Sequence, residues 1–243
     1  MTPKEEVVAI PVGIRRVAGT IFAPEKAVGT VLFVHGWNSS QAEDLDRART
    51  IASFGYICLT FDLYGHNATS KFHSAATRED NMLDVVAAYE VLEKLKKPVA
   101  PGIIGVSYGG YLAALLTSRK PVAWLALRAP ALYRDSGWQM PKASFDRADL
   151  NAYRRLAIGA KENRALRACS QFEGDVLIVE SEFDSMVPST VTANYRTAFA
   201  RAASLTFRRI ELADHALSKR EWQNGYSKLL LNWFEEIVVR NDR

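Results

Sequence analysis

The Gly-Val-Ser-Tyr-Gly sequence at residues 105–109 constrains the fold of this chain more than any other segment. It follows a short apolar run, 102–106, and precedes a run with helical composition, 111–118. A glycine on each side of the serine lets the chain turn sharply between a strand and a helix, because side chains there would collide with neighbouring backbone. Such a turn strains the backbone of Ser107 and projects its hydroxyl above the sheet edge. The alternative interpretation is a glycine-rich turn whose serine caps the helix.

Short apolar runs alternate with helical patterns along the chain. Apolar runs of this kind are typical of strands buried on both faces, and their alternation with helices indicates βαβ units. We therefore predict an α/β fold with a mostly parallel central sheet and helices on both faces, preceded by an antiparallel pair at 7–13 and 15–22. The 243 residues fit a single domain. Parallel strands are predicted at residues 30–34, 56–61, 102–106, 122–127, 176–180 and 205–212.

The helical segments should cover this sheet with apolar stripes. In the segment 78–96, Leu83, Val86, Ala87 and Val91 have helical spacing, so we predict that these four side chains face the sheet. Outside the stretch between residues 128 and 175, the predicted helices are 41–54, 78–96, 111–118, 189–202 and 221–239.

One stretch interrupts the alternation of strands and helices. About 45 residues separate the strand that ends near Leu127 from the strand that begins near Val176. A structureless loop of that length is uncommon in a compact domain, and residues 151–168 have helical composition. We therefore predict a small cap insertion at about residues 131–170.

A serine hydroxyl is a weak nucleophile at neutral pH and needs a base and an acid that orients the base. Of the four histidines, His215 lies after a late strand and before the last helix. Asp184 follows the strand at 176–180, and Glu182 and Asp214 compete with it for the role of the acid. We predict a Ser107, Asp184 and His215 triad.

A developing oxyanion needs backbone N–H donors that are already in position. We predict that one donor is the N–H of Tyr108, which follows the serine, and that the other is the N–H of Trp37. Trp37 lies in the loop after the strand at 30–34, and its side chain would also wall an acyl pocket. We expect His35 to be structural, with its ring bonded to nearby backbone.

These residues together resemble the α/β-hydrolase superfamily over nearly the whole chain. The resemblance implies an α/β-hydrolase fold and a serine nucleophile within it. The segments that carry it, in the family order, are His35-Gly36, Asp62-x-x-Gly65-His66, Gly105-x-Ser107-x-Gly109, Asp184 and His215.

Within that superfamily the chain resembles small dienelactone-hydrolase-like and acyl-peptidase-like esterases and the catalytic domains of acyl-CoA thioesterases. Dienelactone hydrolases carry a cysteine at the turn, so Ser107 argues against their substrate. A serine also argues against the dehalogenase and epoxide-hydrolase branches, which use an aspartate. Asn67 stands where many relatives have a glycine, which should change the local loop.

The positive charge of the chain is concentrated near the predicted cap. Residues 128–167 contain nine basic and four acidic residues, a net +5, so the rest of the chain carries −1. Loops after strand ends surround the site in open α/β folds, so part of this basic segment should face the substrate. We therefore expect a small-molecule acyl substrate and hypothesise that it is anionic. Arg128 is the first candidate to bind it, with an internal salt bridge as the equal alternative. Trp37, Tyr133 and Trp138 could line an apolar pocket or could pack the cap onto the sheet.

Several classes of protein and site are excluded by the composition. The two cysteines, Cys58 and Cys169, exclude a disulfide scaffold and a four-cysteine zinc site. The histidines have no metal-binding spacing and no nucleotide-binding glycine pattern occurs, so we expect no metal and no cofactor. A net charge of +4 does not indicate nucleic acid. Without a bilayer-length apolar run or a signal peptide, we expect a cytoplasmic monomer or homodimer with no membrane partner.

These features predict a serine hydrolase that cleaves a carboxylic ester of a small molecule through an acyl-enzyme. A thioesterase, an amidase or an acyl transferase would use the same three residues. A binding module that keeps the sheet and loses the chemistry is the alternative from another class.

Overall fold

The computed structural model of the protein describes residues 2–241, with side chains described as far as residue 237. The strands are β1 (Lys4–Val12), β2 (Arg15–Ala23), β3 (Gly29–Val34), β4 (Tyr56–Phe61), β5 (Gly102–Val106), β6 (Trp124–Arg128), β7 (Asp175–Ser181) and β8 (Ser204–Ile210). Within the described range they form one sheet in the order β1-β2-β4-β3-β5-β6-β7-β8. β2 pairs antiparallel with β1 and β4, and all the other pairs are parallel. The predicted α/β fold class is confirmed.

The helices follow the strands much as predicted. They are α1 (Leu45–Ser53), α2 (Arg78–Glu93), α3 (Tyr108–Leu116), α4 (Arg147–Arg154), α5 (Arg164–Gln171), α6 (Ser189–Ala198) and α7 (Arg220–Asn241). α3 begins directly after Ser107, three residues earlier than the predicted helix at 111–118. No helix within residues 2–241 is long and apolar enough to cross a membrane.

Alternate residues of the strands point to two separate apolar cores. Leu32 and Val34 of β3 lie in the core that α2, α3, α5 and α6 cover, whereas Val31 and Phe33 lie in the core that α1 and α7 cover. The central strands β3, β5, β6 and β7 are therefore buried on both faces, which is why their sequences are nearly continuous apolar runs, whereas the edge strand β8 is partly exposed.

The buried face of α2 differs from the predicted one. Leu83 is 48% exposed, while Met82 and Val85 beside it are buried. The polar side chains of Asn81 and Asp84 are also buried on this face. They are hydrogen-bonded there, so the face that meets the sheet is partly polar and an apolar stripe could not reveal it.

The predicted cap insertion divides into two parts. α5 packs against α3 and α6, and its Leu166 and Cys169 belong to the core on that face. α5 is therefore the crossover helix between β6 and β7. The helical composition predicted at 151–168 covers the end of α4 and the start of α5. The residues before it, 131–163, include α4, and we refer to them as the cap segment.

α3 crosses β3 so closely that only glycine fits at the contact. A Cβ atom on Gly109 would collide with the backbone carbonyl oxygens of Val34 and His35. Gly225 of α7 has open space around its Cα.

We expect Gly109→Ala to destabilise the protein by at least about 2 kcal/mol, because backbone atoms cannot yield to the added methyl group. Gly225→Ala should instead stabilise it by about 0.5–1 kcal/mol, because alanine has the higher helix propensity. Denaturant unfolding of both variants would measure this, and equal stabilities would contradict the close contact.

Candidate active site

Ser107 lies in a strained turn at the carboxyl end of β5. Its φ of +52° is unusual for a residue other than glycine. The Ser107 N–H donates to the carbonyl of Arg128 at 2.8 Å, and the Ser107 carbonyl accepts from the N–H of Ala131 at 2.9 Å. The turn is therefore tied to the end of the neighbouring strand β6, which compensates for its strain.

The predicted serine, histidine and aspartate lie together in one hydrogen-bonded chain. His215 Nε2 is 3.0 Å from Ser107 Oγ, and His215 Nδ1 is 2.6 Å from Asp184 Oδ2. The Asp184 side chain is 2% exposed, and its other oxygen accepts from the N–H groups of Met186 and Val187. A carboxylate held in this way fixes the imidazole so that Nε2 faces the serine.

The two rival carboxylates are bound elsewhere. Glu182 accepts a hydrogen bond from the N–H of Leu212 at 2.8 Å. Asp214 accepts from the N–H and the hydroxyl of Ser218, at 3.0 Å and 2.5 Å. Both shape the loops on either side of His215, and the structure brings only Asp184 of these three to the imidazole.

Two buried histidines hold the loop that carries Trp37. His35 Nε2 accepts from the N–H of Leu63 at 2.9 Å while its Nδ1 lies 2.7 Å from the carbonyl of Gly36. Burial lowers the pKa of His35, so its ring is neutral and structural. His66 Nε2 accepts from the N–H of Asn38 at 3.3 Å, and burial lowers its pKa to about 4.

The loop held by these histidines passes beside the serine. A Cβ atom on Gly36 would lie 3.5 Å from Ser107 Cβ. Within residues 2–241, neither the N–H of Trp37 nor that of Tyr108 donates a hydrogen bond to another protein atom. The Trp37 ring meets the Tyr108 ring edge to face at 5.5 Å.

Arg128 is misplaced for substrate binding, which corrects the prediction. Its side chain lies on the α1 and α7 face with Trp124 and Ala126, away from the cap segment, because alternate strand residues share a face. It is 7% exposed, stands over the Tyr226 ring and donates to the carbonyl of His215 at 2.8 Å. Arg128 therefore supports the His215 loop from beneath.

Tyr133 and Trp138 pack against residues of the cap segment and of α2 and α3. Tyr133 is 3% exposed and lies behind Tyr108, with 5.7 Å between ring centroids. On its other side it lines a pocket of about 340 Å³ in the cap segment. Trp138 lies between the guanidinium groups of Arg78 and Arg164.

Two residues near the serine were not predicted from the sequence. Asn81 of α2 accepts a hydrogen bond from the Tyr108 hydroxyl at 3.1 Å and so positions the residue after the nucleophile. Lys142 of the cap segment places its ammonium 4.0 Å from the centre of the Trp37 ring. No motif contains either residue, since each reaches the site through tertiary contacts alone.

Among the described residues, no group of three or more His, Cys, Asp and Glu side chains could hold a metal ion.

A sequence profile of the alpha/beta hydrolase family matches residues 31–236. The chain belongs to the alpha/beta hydrolase family. The match covers the sheet from β3 onward together with Ser107, Asp184 and His215. A comparison of this hydrolase with curated proteins gives no significant match.

Solved structures that this alpha/beta hydrolase resembles share its fold across nearly the whole chain. Dienelactone hydrolase from Anabaena variabilis is 19% identical, with 97% of this chain and 99% of that chain aligned and a TM-score of 0.68. Acylaminoacyl peptidase from Pyrococcus horikoshii is 18% identical, with 97% of this chain and 42% of the peptidase aligned and a TM-score of 0.72. Est1E from Butyrivibrio proteoclasticus, solved with ferulic acid, is 14% identical, with 96% and 99% aligned and a TM-score of 0.73. The predicted resemblance to the α/β-hydrolase superfamily is confirmed. At these sequence identities, the likeness to the individual solved structures concerns the fold alone.

If Arg128 supports the His215 loop and does not bind substrate, its replacement should affect neutral and charged substrates equally. Arg128→Gln should destabilise the protein by about 2 kcal/mol, because a charged hydrogen bond to the His215 carbonyl is lost. It should lower kcat/KM for neutral and carboxylate-bearing esters by the same factor, since the loop moves for both. Arg134→Gln, at a 46% exposed cap arginine, is the matched control and should cost less than about 1 kcal/mol. A larger loss on charged esters would contradict the supporting role.

Proposed function

We propose that this alpha/beta hydrolase cleaves carboxylic esters of small molecules through an acyl-enzyme formed on Ser107. The hydrogen-bonded chain from Ser107 through His215 to Asp184 is the observation that carries the proposal. The family supports hydrolysis, and esterases such as Est1E are among the structures with the same fold.

In the proposed mechanism, His215 accepts the hydroxyl proton as Ser107 Oγ attacks the ester carbonyl. Asp184 holds the imidazole by its Nδ1 and stabilises the imidazolium that forms. The carbon–oxygen bond to the leaving alcohol then breaks, and the alcohol departs with the proton from His215. A water molecule, deprotonated by His215, attacks the acyl-enzyme and releases the acid.

The backbone N–H groups of Trp37 and Tyr108 are the proposed donors to the oxyanion. Both donors are held by the fold before a substrate binds. His35 and His66 hold the loop that carries Trp37, and Tyr108 is the first residue of α3. Donors that need no rearrangement stabilise developing charge most effectively.

Ser107→Ala should abolish turnover of a short p-nitrophenyl ester and labelling by a fluorophosphonate probe. Its thermal unfolding should match that of the wild type, because the hydroxyl contributes only a hydrogen bond to His215. Labelling of the wild type but not of the variant, read by intact-protein mass spectrometry, tests the nucleophile. Retained turnover in the variant would refute the proposal.

Asp184→Asn should lower kcat by a factor of about 10³–10⁴, because the amide favours the wrong imidazole tautomer. Glu182→Gln is the matched control two residues earlier, and its turnover should stay within about threefold, because its carboxylate binds only the N–H of Leu212. Steady-state rates of both variants decide the identity of the acid, and a larger loss in Glu182→Gln would reverse the assignment.

A further inference from the structure

The ammonium group of Lys142 lies in a cage of aromatic rings beside the proposed nucleophile. Lys142 Nζ is 4.0 Å from the centre of the Trp37 ring, 5.0 Å from that of Tyr108 and 5.3 Å from that of Tyr133. Tyr108 directly follows Ser107, Trp37 follows Gly36, which lies beside Ser107, and the N–H groups of both are the proposed oxyanion donors. The lysine therefore reaches from the cap segment to the oxyanion side of the site.

The backbone holds Lys142 in this position. Its N–H donates to the carbonyl of Ala76 at 2.9 Å, and the preceding Pro141 forms a short antiparallel bridge with Thr77. Thr77 is the N-cap of α2, where it forms a capping box with Asp80. The cage is thus anchored to a helix end.

No carboxylate neutralises this ammonium. Within residues 2–241, Lys142 forms no salt bridge, whereas Arg134 and Arg164 of the same region pair with Asp149 and Asp135. The charged groups around the cage are cations as well: the guanidinium groups of Arg78 and Arg154 lie 5.6 Å and 5.0 Å from the Tyr133 ring centre. Burial lowers the pKa of Lys142, an effect that the Tyr133 hydroxyl opposes.

The Tyr133 hydroxyl forms a hydrogen bond with this ammonium, but no carboxylate within residues 2–241 pairs with it. Aromatic faces attract a cation without cancelling its charge, and a partly desolvated charge that no anion balances is costly. A carboxylate brought by a ligand would form a short, charge-assisted hydrogen bond with it.

We propose that Lys142 binds a carboxylate of the substrate and so selects esters that carry a second, negatively charged group. The inference rests on the proposed esterase function, since it assigns the substrate class of that same site. It also replaces Arg128 with Lys142 as the source of anion preference. The remaining question is whether the carboxylate belongs to the acyl group or to the leaving alcohol.

Two pairs of esters, each made of a carboxylate and its small neutral alkyl ester, separate these sources. Monoethyl adipate and diethyl adipate place the charge on the acyl side, while the acetate esters of p-hydroxybenzoate and of methyl p-hydroxybenzoate place it on the leaving group. For at least one pair, Lys142→Met should lower the ratio of kcat/KM for the charged ester to that for the neutral ester about tenfold or more.

Two further variants control for charge and for folding. Lys142→Arg keeps the cation and should retain most of the wild-type ratio, whereas Lys161→Met removes a charge from an exposed cap lysine and should leave the ratio within about twofold. An unchanged ratio in Lys142→Met for both pairs overturns the inference, as does an equal fall in Lys161→Met.

A binding measurement separates failure of this inference from failure of the proposed function. Calorimetry measures the binding of adipate and of p-hydroxybenzoate to Ser107→Ala and to Ser107→Ala/Lys142→Met without any turnover. A weaker affinity in the variant that lacks the lysine supports the anion site. Equal affinities in the two variants overturn it. If wild type neither hydrolyses an ester nor reacts with a fluorophosphonate, the esterase proposal fails, and the calorimetry still decides the role of Lys142.

Discussion

The structure depends on the close approach of α3 to β3 and β5 at the serine turn. Gly105 and Gly109 allow backbone to meet backbone there, since a Cβ on Gly105 would lie 2.8 Å from the Gly109 carbonyl oxygen. The strain of Ser107 is compensated by hydrogen bonds to the end of β6. Because β5 lies between β3 and β6, the loop after β3 and the segment after β6 both begin beside the serine turn.

The two faces of the sheet contribute differently to the site. On the α1 and α7 face, Arg128 supports the carbonyl of His215 and thereby the base. On the opposite face, Asn81 holds the Tyr108 hydroxyl and Lys142 approaches Trp37. The loop that carries His215 is therefore supported from one side of the sheet, while Tyr108 and Trp37 are contacted from the other.

Much of the fold could be predicted because strands buried on both faces are continuous apolar runs, and the order of Ser107, Asp184 and His215 follows the strand ends. The buried face of α2 could not be predicted, because Asn81 and Asp84 are polar and find partners only in tertiary structure. The side of the sheet on which Arg128 lies could have been predicted, because alternate residues of a strand share a face and Arg128 alternates with Trp124 and Ala126 in β6. Lys142 had no such signal, because Trp37 and Tyr108, its contacts beside the serine turn, lie 105 and 34 residues away in sequence.

The excess charge of residues 128–167 acquires a physical meaning from where each cation lies. Arg134 and Arg164 are paired with carboxylates at the surface, where water screens their fields. Arg154 is buried and donates to the carbonyls of Leu132 and Met186, which satisfy its hydrogen bonds without cancelling its charge. Arg154 and Lys142 thus leave positive charge beside the buried Tyr133 ring without a carboxylate to balance it, and electrostatic interactions are stronger in such a region of low dielectric than at the surface. A modest net charge for the whole chain can therefore conceal a local concentration of unbalanced positive charge.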